Sequence, residues 1–366
     1  MKKYDQNGTM TVPGLYGIPF DIRVTEVDKP KMDDDSLILE VVNCGLCNSE
    51  VKTAKRGHPI LETNPLPLIF GHEFLGRAIH VGKNVRGYTE GDRLVIMALI
   101  PCGYCYQCRR GKLHLCENYF RSLLDVGGFA PYVKISGQEI YKRTYKIDDG
   151  VSFEHAALAE PVACSLRGIE QANIRAGDTV TILGAGFMGL ILTNLAAISG
   201  AAQVIVVDQF PHRLETALEI GATDIVNFNT CDSIKAVFDL TEGRGSDIVI
   251  EATGVPKAYE DAFDMVGRGG TVVYFGGTAK GSEIRLDPVK IHYQELRIVG
   301  SVNPSPHNVD RALFFIKNKL LHLDKLITHR MDVLDLKEAM ELALTKEPIK
   351  LMTYHSGNLD DKLGEK

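Results

Sequence analysis

Four cysteines in one short segment are the residues whose chemistry is easiest to name. They are Cys102, Cys105, Cys108 and Cys116, with the spacing C-x2-C-x2-C-x7-C. Four thiolates this close in sequence can converge on one tetrahedral ion, and Zn²⁺ accepts such a shell of sulfur ligands. Disulfides would need an oxidising compartment, and the N-terminal residues do not resemble a secretion signal. The spacing therefore predicts a closed, structural zinc site.

Cys47, His72 and Glu73 form a second set of residues that could hold a metal. Each also has an ordinary interpretation, Cys47 as a buried thiol and the His-Glu pair as part of a turn. The two segments are too far apart for a local motif, so spacing alone leaves both interpretations open. One thiolate, one imidazole and one carboxylate would leave a zinc position free for substrate. Zinc there could polarise a carbonyl, or lower the pKa of an alcohol so that hydride can leave.

A glycine-rich segment follows the apolar run Thr179–Leu183 and opens an apolar stretch that predicts a helix. It has the pattern G-x-G-x-x-G and reads Gly184, Ala185, Gly186, Phe187, Met188 and Gly189. In this context the glycines allow a tight turn, close approach of a pyrophosphate and close helix packing. The helix N-terminus then offers free N–H groups to the phosphates. The segment predicts a dinucleotide site.

An acid beyond this turn indicates which dinucleotide binds. Asp208 follows the next predicted strand, 19 residues after Gly189. A carboxylate there can accept hydrogen bonds from the ribose hydroxyls and repel a 2′-phosphate, which predicts NAD rather than NADP. Arg213, five residues further on, either softens that discrimination or begins a surface helix.

Two different patterns of predicted secondary structure surround these residues. Residues 21–140 carry short strand-like runs separated by turn signals, which indicates an irregular, barrel-like β domain. From Phe153 onward, strand and helix patterns alternate, which is typical of βαβ units and a parallel sheet. The fold class is therefore α/β with a separate β-rich domain.

Bulk properties exclude several classes of function. With 366 residues the chain can form two domains, and its net charge of −6 argues against a nucleic-acid partner. No apolar run is long enough to span a bilayer. Four of the eight cysteines fall in the cluster, which favours metal binding in a reducing cytoplasm. We expect a cytoplasmic protein that acts on small molecules.

Taken together, these residues resemble the zinc-dependent medium-chain dehydrogenase/reductase family, with polyol, sugar-phosphate and L-threonine dehydrogenases as its relevant members. The resemblance runs from Phe20 to Lys350. The motifs that carry it occur in the family's order and are Gly45–Glu50, Gly71–Glu73, Cys102–Cys116, Gly127–Tyr132, Glu160-Pro161 and Gly184–Gly189.

The resemblance implies a fold and a set of roles. It implies a GroES-like catalytic domain in residues 1–154, a Rossmann NAD-binding domain in residues 155–292, and a return to the catalytic domain in residues 293–366. It implies two zinc ions per subunit, with Cys47, His72 and Glu73 as ligands of the catalytic one. Glu160 would complete that shell, directly or through water, or would simply be an acid at a helix N-terminus. Ser49 would pass on the substrate proton, and subunits would pair into dimers or tetramers.

Three positions depart from the family pattern. Asn48 replaces a glycine. Glu50 replaces the aspartate that supports the histidine ligand, so that support could be re-aimed. Lys52 replaces a histidine of the proton relay, which leaves the relay beyond Ser49 open.

The expected activity is hydride transfer between NAD and a secondary alcohol of a polyol, sugar, sugar acid or their phosphates. L-threonine and simple alcohols are the next substrate classes. A metal-free reductase on the same fold would lack both cysteine-containing sets. A non-catalytic NAD-binding protein with a structural zinc is the alternative from a different class.

Overall fold

The computed structural model describes residues 4–355, which divide into two compact units. The first unit runs from the start of the described chain to Glu160 and also takes Ala312–Asn318 and the chain from Ile327 onward. The second unit comprises Pro161–Arg311 and Lys319–Leu326.

Strands and helices are numbered in chain order. The strands are β1 (Thr9–Gly17), β2 (Asp21–Asp28), β3 (Ser36–Gly45), β4 (Glu73–Val81), β5 (Arg93–Met97), β6 (Tyr132–Ser136), β7 (Thr144–Lys146), β8 (Thr179–Leu183), β9 (Gln203–Asp208), β10 (Asp224–Asn227), β11 (Ser246–Glu251), β12 (Val266–Tyr274), β13 (Arg297–Gly300), β14 (Ile327–Asp332) and β15 (Lys350–Tyr354). The helices are α1 (Asn48–Arg56), α2 (Ile60–Thr63), α3 (Tyr106–Arg109), α4 (Ile140–Arg143), α5 (Phe153–Ala157), α6 (Ala159–Ala172), α7 (Phe187–Ile198), α8 (Pro211–Glu219), α9 (Ser233–Leu240), α10 (Pro256–Met265), α11 (Pro288–Tyr293), α12 (Pro306–Lys317) and α13 (Leu336–Thr345).

The first unit is built on a seven-stranded sheet in the order β14-β15-β3-β4-β5-β7, with β6 pairing to β3. Strands β1 and β2 form a separate antiparallel pair. Strand β3 is buried along almost its whole length because apolar residues occupy both of its faces. Its end pairs with β4 on one side and β15 on the other, so Gly45 lies opposite both Glu73 and Met352. The predicted GroES-like, β-rich domain is confirmed.

The second unit is a six-stranded parallel sheet in the order β10-β9-β8-β11-β12-β13. Strands β8, β9 and β11 consist largely of buried valine, isoleucine and leucine, as expected of strands covered on both faces. The order reverses between β8 and β11, and a crevice at the carboxyl ends of such strands is where ligands bind in doubly wound sheets. The predicted Rossmann-type sheet is confirmed.

The second unit ends later than the predicted boundary at residue 292. Strand β13 pairs in parallel with β12 and completes the sheet, and the unit continues to Arg311. From the sequence alone, residues 297–300 are expected in the returning catalytic domain, because a strand-like run does not specify which sheet edge it joins. The chain joins the sheet of the first unit again at β14. Within residues 4–355, no helix combines the length and the apolar character needed to cross a membrane.

Candidate active site

Antiparallel pairing of β3 and β4 brings the distant Cys47 and His72-Glu73 segments together. Cys47 follows the end of β3 directly before helix α1, and His72 directly precedes β4. One sulfur, one imidazole nitrogen and one carboxylate oxygen from Cys47, His72 and Glu73 all lie within 4.8 Å of one another. This contact could not be predicted from sequence spacing, because it depends on how β3 and β4 are aligned in the sheet.

Glu50 orients both the thiol and the imidazole of this group. Its Oε1 lies 2.8 Å from Nδ1 of His72 and accepts a hydrogen bond from the Gly71 amide at 3.0 Å. Its Oε2 accepts a hydrogen bond from the Cys47 amide at 3.0 Å. Glu50 is buried, so these contacts replace its hydration. Glu50 is longer than the aspartate that it replaces in the family pattern, yet it contacts Nδ1 of His72. This contact leaves Nε2 of the ring for a metal.

The charges around His72 favour its protonated form when no metal is bound. Burial alone would lower the pKa of the His72 imidazole. The carboxylate of Glu50 and the thiol of Cys47 outweigh burial, and they raise the pKa of His72 well above its usual value. The same negative surroundings that favour a proton on His72 would favour a metal cation bound to it in place of that proton.

Ser49 and Glu160, the two remaining predicted residues, differ in their relation to this group. The Ser49 hydroxyl is exposed and donates a hydrogen bond to Sγ of Cys47 at 3.2 Å. Glu160 is half-buried in the first turn of α6 and is not among the three residues whose ligand atoms converge. Direct metal ligation by Glu160 stays a prediction, and its position agrees with an acid near a helix N-terminus.

The four-cysteine cluster is closed and local. The sulfurs of Cys102, Cys105, Cys108 and Cys116 all lie within 4.8 Å of one another. Sγ of Cys116 accepts hydrogen bonds from the amides of Cys102 at 3.2 Å and Asn118 at 3.4 Å. Burial raises the pKa of Cys102, but N–H donors including Asn118 and the Cys105 amide outweigh it and lower the value to about 6. Four sulfurs with N–H donors aimed at them fit a structural zinc ion.

The glycine-rich turn has the geometry of a dinucleotide site. Gly184 has φ of +98°, and a Cβ at Gly189 would collide with the Gly184 carbonyl oxygen. Gly186 directly precedes helix α7, whose first two residues are Phe187 and Met188. The N-terminus of this helix, with its positive dipole end, thus lies at the turn where an anion would bind.

Asp208 closes this turn from the end of β9. Its Oδ2 accepts a hydrogen bond from the Ala185 amide at 2.6 Å, and its Oδ1 accepts from the amides of Gln209 at 2.7 Å and Phe210 at 3.0 Å. Arg213 lies in the first turn of α8, a helix with an exposed face, but its own side chain is buried. Its guanidinium carbon lies 5.1 Å from the centre of the Phe210 ring, a cation–π contact.

Lys350 is a residue of this site that sequence reasoning missed. Its Nζ forms an ion pair with Oε2 of Glu73 and donates a hydrogen bond to the Leu46 carbonyl at 3.0 Å. Burial would lower the pKa of Lys350, but the charges of Glu73 and Cys47 outweigh it and raise the value. A lysine between apolar residues of a buried strand is the signal that could have identified it.

Two family profiles match the chain. Residues 33–147 match the alcohol dehydrogenase GroES-like domain, and residues 188–318 match the zinc-binding dehydrogenase profile. Sorbitol dehydrogenase of Bacillus subtilis is 30% identical over 341 residues, which cover 91% of this chain and 94% of that protein. L-threonine 3-dehydrogenase of Bacillus licheniformis is 34% identical over 261 residues, 71% of this chain and 73% of that protein.

Solved structures agree with these matches. A crystal structure from Sinorhizobium meliloti 1021, described as a zinc-binding dehydrogenase bound to NADP, superposes with a TM-score of 0.87. Its sequence is 29% identical, and the alignment covers 95% of this chain and 100% of that one. Because both domain profiles match and the 30% identity to the sorbitol dehydrogenase extends over nine-tenths of each chain, the chain belongs to the zinc-dependent medium-chain dehydrogenase/reductase family.

Proposed function

We propose that this chain transfers a hydride between NAD and a secondary alcohol of a polyol, a sugar, a sugar acid or one of their phosphates. The observation that carries the proposal is the convergence of Cys47, His72 and Glu73, backed by Glu50. Membership of a family that contains polyol and alcohol dehydrogenases supports the reaction class.

The proposed mechanism assigns a task to each side chain. Cys47, His72 and Glu73 would hold zinc, since a thiolate, an imidazole and a carboxylate are a ligand set that leaves one position open. Zinc held there would supply a Lewis acid that lowers the pKa of an alcohol, and the dinucleotide would supply a hydride acceptor. Glu50 fixes the ring of His72. Ser49, whose hydroxyl lies at the ligand sulfur, would take the alcohol proton and pass it outward.

We propose NAD as the preferred dinucleotide. The carboxylate of Asp208 at the glycine-rich turn supports this, since it would repel a 2′-phosphate. A guanidinium nitrogen of Arg213 lies 3.8 Å from where a Cβ of Gly186 would be, and the Sinorhizobium meliloti structure holds NADP, so the choice of dinucleotide is worth measuring. Catalytic efficiency with NAD should exceed that with NADP, and a clear preference for NADP would overturn this part of the proposal.

L-threonine is the second candidate substrate, because one of the similar proteins is an L-threonine 3-dehydrogenase. A panel of polyols, sugar acids, sugar phosphates, L-threonine and simple alcohols, followed by NADH absorbance, separates these classes. Fastest turnover is expected with a polyol or sugar derivative. One tightly held zinc and no turnover on the whole panel would instead favour a non-catalytic NAD-binding protein.

We also propose that the protein forms dimers or tetramers through the edge of the parallel sheet. Strand β13 lies at that edge. Tyr293 and Val302 on either side of it are exposed, at 75% and 53% of their surface. An open strand edge flanked by apolar side chains favours pairing with a second copy. Light scattering after gel filtration should give a dimer or tetramer, and a monomer at micromolar concentration would contradict this.

A further inference from the structure

Lys350 is a buried cation placed against one of the three converging residues. Its Nζ forms the ion pair with Oε2 of Glu73, and the two side chains are only 3% and 1% exposed. A protonated lysine cannot be a metal ligand, so Lys350 is not one more member of the ligand set. Its cost of burial must instead be offset by the contacts that it makes.

The surrounding backbone holds this ion pair in place. Lys350 Nζ donates to the carbonyl of Leu46 at 3.0 Å, and the Leu46 amide donates to the carbonyl of Leu351 at 2.9 Å. A Cβ at Gly45 would collide with Oε2 of Glu73 and would lie 2.9 Å from Cε of Lys350. The absence of a side chain at Gly45 therefore leaves the space that the ion pair occupies.

Glu73 thus faces two competing cations. One of its oxygens is within reach of Cys47 and His72, where a metal would sit, and Oε2 is bound to the Lys350 ammonium. A carboxylate that shares its charge with an ammonium is a weaker ligand than a free one. The cation within reach of the ligand set also opposes the charge of a divalent metal.

We propose that Lys350 is a positioning residue that competes with the metal for Glu73 and thereby limits how much negative charge this carboxylate donates to the metal. A metal that keeps more of its positive charge lowers the pKa of a bound alcohol further. This inference rests on the proposed function, because it assumes zinc at Cys47, His72 and Glu73. It predicts that metal affinity and turnover change in opposite directions when Lys350 is replaced. Removing Lys350 should strengthen metal binding while it slows turnover, whereas the loss of a merely structural contact would weaken both.

The test replaces Lys350 with methionine, which is neutral and of similar length. Loss of zinc to a chelator is followed for the folded protein without substrate. Release from the site of Cys47 should slow by roughly 10-fold, the lower end of the effect that outer-shell partners have on metal affinity. The visible spectrum of the cobalt-substituted protein should shift as Glu73 becomes a full ligand, and kcat should fall. Adding Glu73→Gln to Lys350→Met should return the release rate towards that of Glu73→Gln alone.

Lys134→Met is the matched control, because Lys134 also contacts a carboxylate and a carbonyl. Its Nζ lies 2.6 Å from Oδ2 of Asp33 and 2.9 Å from the Lys31 carbonyl oxygen. This variant should release zinc at the wild-type rate. If Lys350→Met does not fold, Lys350→Gln takes its place, because its amide is uncharged and keeps hydrogen-bond donors in the buried site.

The outcomes separate this inference from the proposed function. Zinc release from a folded Lys350→Met or Lys350→Gln protein at the wild-type rate or faster overturns the role of Lys350 alone. A wild-type protein without zinc at Cys47, or without turnover on the alcohol panel, overturns the proposed function instead. Slower release with a shifted cobalt spectrum supports the competition.

Discussion

The two cysteine-containing sites of the first unit differ in how the fold assembles them. The candidate ligands of the cluster at Cys102–Cys116 come from one short segment, and neighbouring amides donate to its sulfurs. The candidate ligands of the set around Cys47 come from the ends of β3 and β4, and Lys350, which contacts Leu46 and Glu73, lies 304 residues from Leu46 in sequence. A closed site can be encoded locally, whereas an open site needs partners from several strands to orient its ligands and balance their charge.

Replacing Cys47 by alanine should have the largest effect. Zinc contributes several kcal/mol to such a reaction, and about 1.4 kcal/mol corresponds to one decade in rate, so turnover should fall on the order of 10³-fold. Zinc content should drop by one per subunit while the urea midpoint hardly changes. Turnover within a few-fold of wild type would show that Cys47 is not a ligand of a catalytic metal.

Replacing Cys105 by serine should instead act on stability. Binding of a structural zinc is coupled to folding of its loop, so the free energy of unfolding should fall by at least about 3 kcal/mol. Turnover per folded molecule should stay near wild type. Cys231→Ser, at an exposed cysteine outside the cluster, is the control and should change neither quantity. Unchanged stability in Cys105→Ser with one zinc lost would remove the structural role.

Ser49→Ala should separate proton transfer from metal binding. General acid–base groups contribute roughly 10²-fold or more to rates, so kcat should fall by about that factor with zinc content unchanged. Ser49→Thr keeps the hydroxyl and should retain most of the activity. The pH dependence of kcat measures this difference, and an unaltered profile in Ser49→Ala would exclude the relay.

Replacing Glu154 should have the smallest effect, a change in the free energy of unfolding. Glu154 belongs to the first unit and is remote in sequence from both cysteine-containing sets. Arg330 donates to its two oxygens at 2.6 and 2.9 Å, and the Tyr354 hydroxyl donates to Oε1. Burial raises the pKa of Glu154, but these donors outweigh it and lower the value below its usual range.

The sign of the pH effect follows from this lowered pKa. A carboxylate whose pKa is lower in the folded state stabilises above its unfolded pKa, and the stabilisation is lost as pH falls. Glu154→Gln should therefore cost about 1–2 kcal/mol at neutral pH and progressively less below about pH 4.3. Urea unfolding across this range measures it. A gap that widens towards low pH would contradict the assignment.

The parts of the molecule that are encoded locally can be predicted from its sequence. The C-x2-C-x2-C spacing and the glycine-rich turn were sufficient because their residues meet through short-range backbone geometry. The predicted range for the Rossmann domain, residues 155–292, omits strand β13 of the parallel sheet. The sequence of such a strand does not specify which sheet edge it joins. Lys350 and the contact of Glu50 with His72 could not be derived, since both depend on side-chain positions fixed by register.

We predict that the two sites hold separate metals with separate roles. The most direct test is to treat the protein with a chelator and to measure zinc by mass spectrometry, turnover and circular dichroism at each time point. We predict two zinc ions per subunit, with activity lost in step with the first and folded structure lost in step with the second. Full activity after the first zinc has gone, or a single zinc whose removal abolishes activity and fold together, would contradict the account.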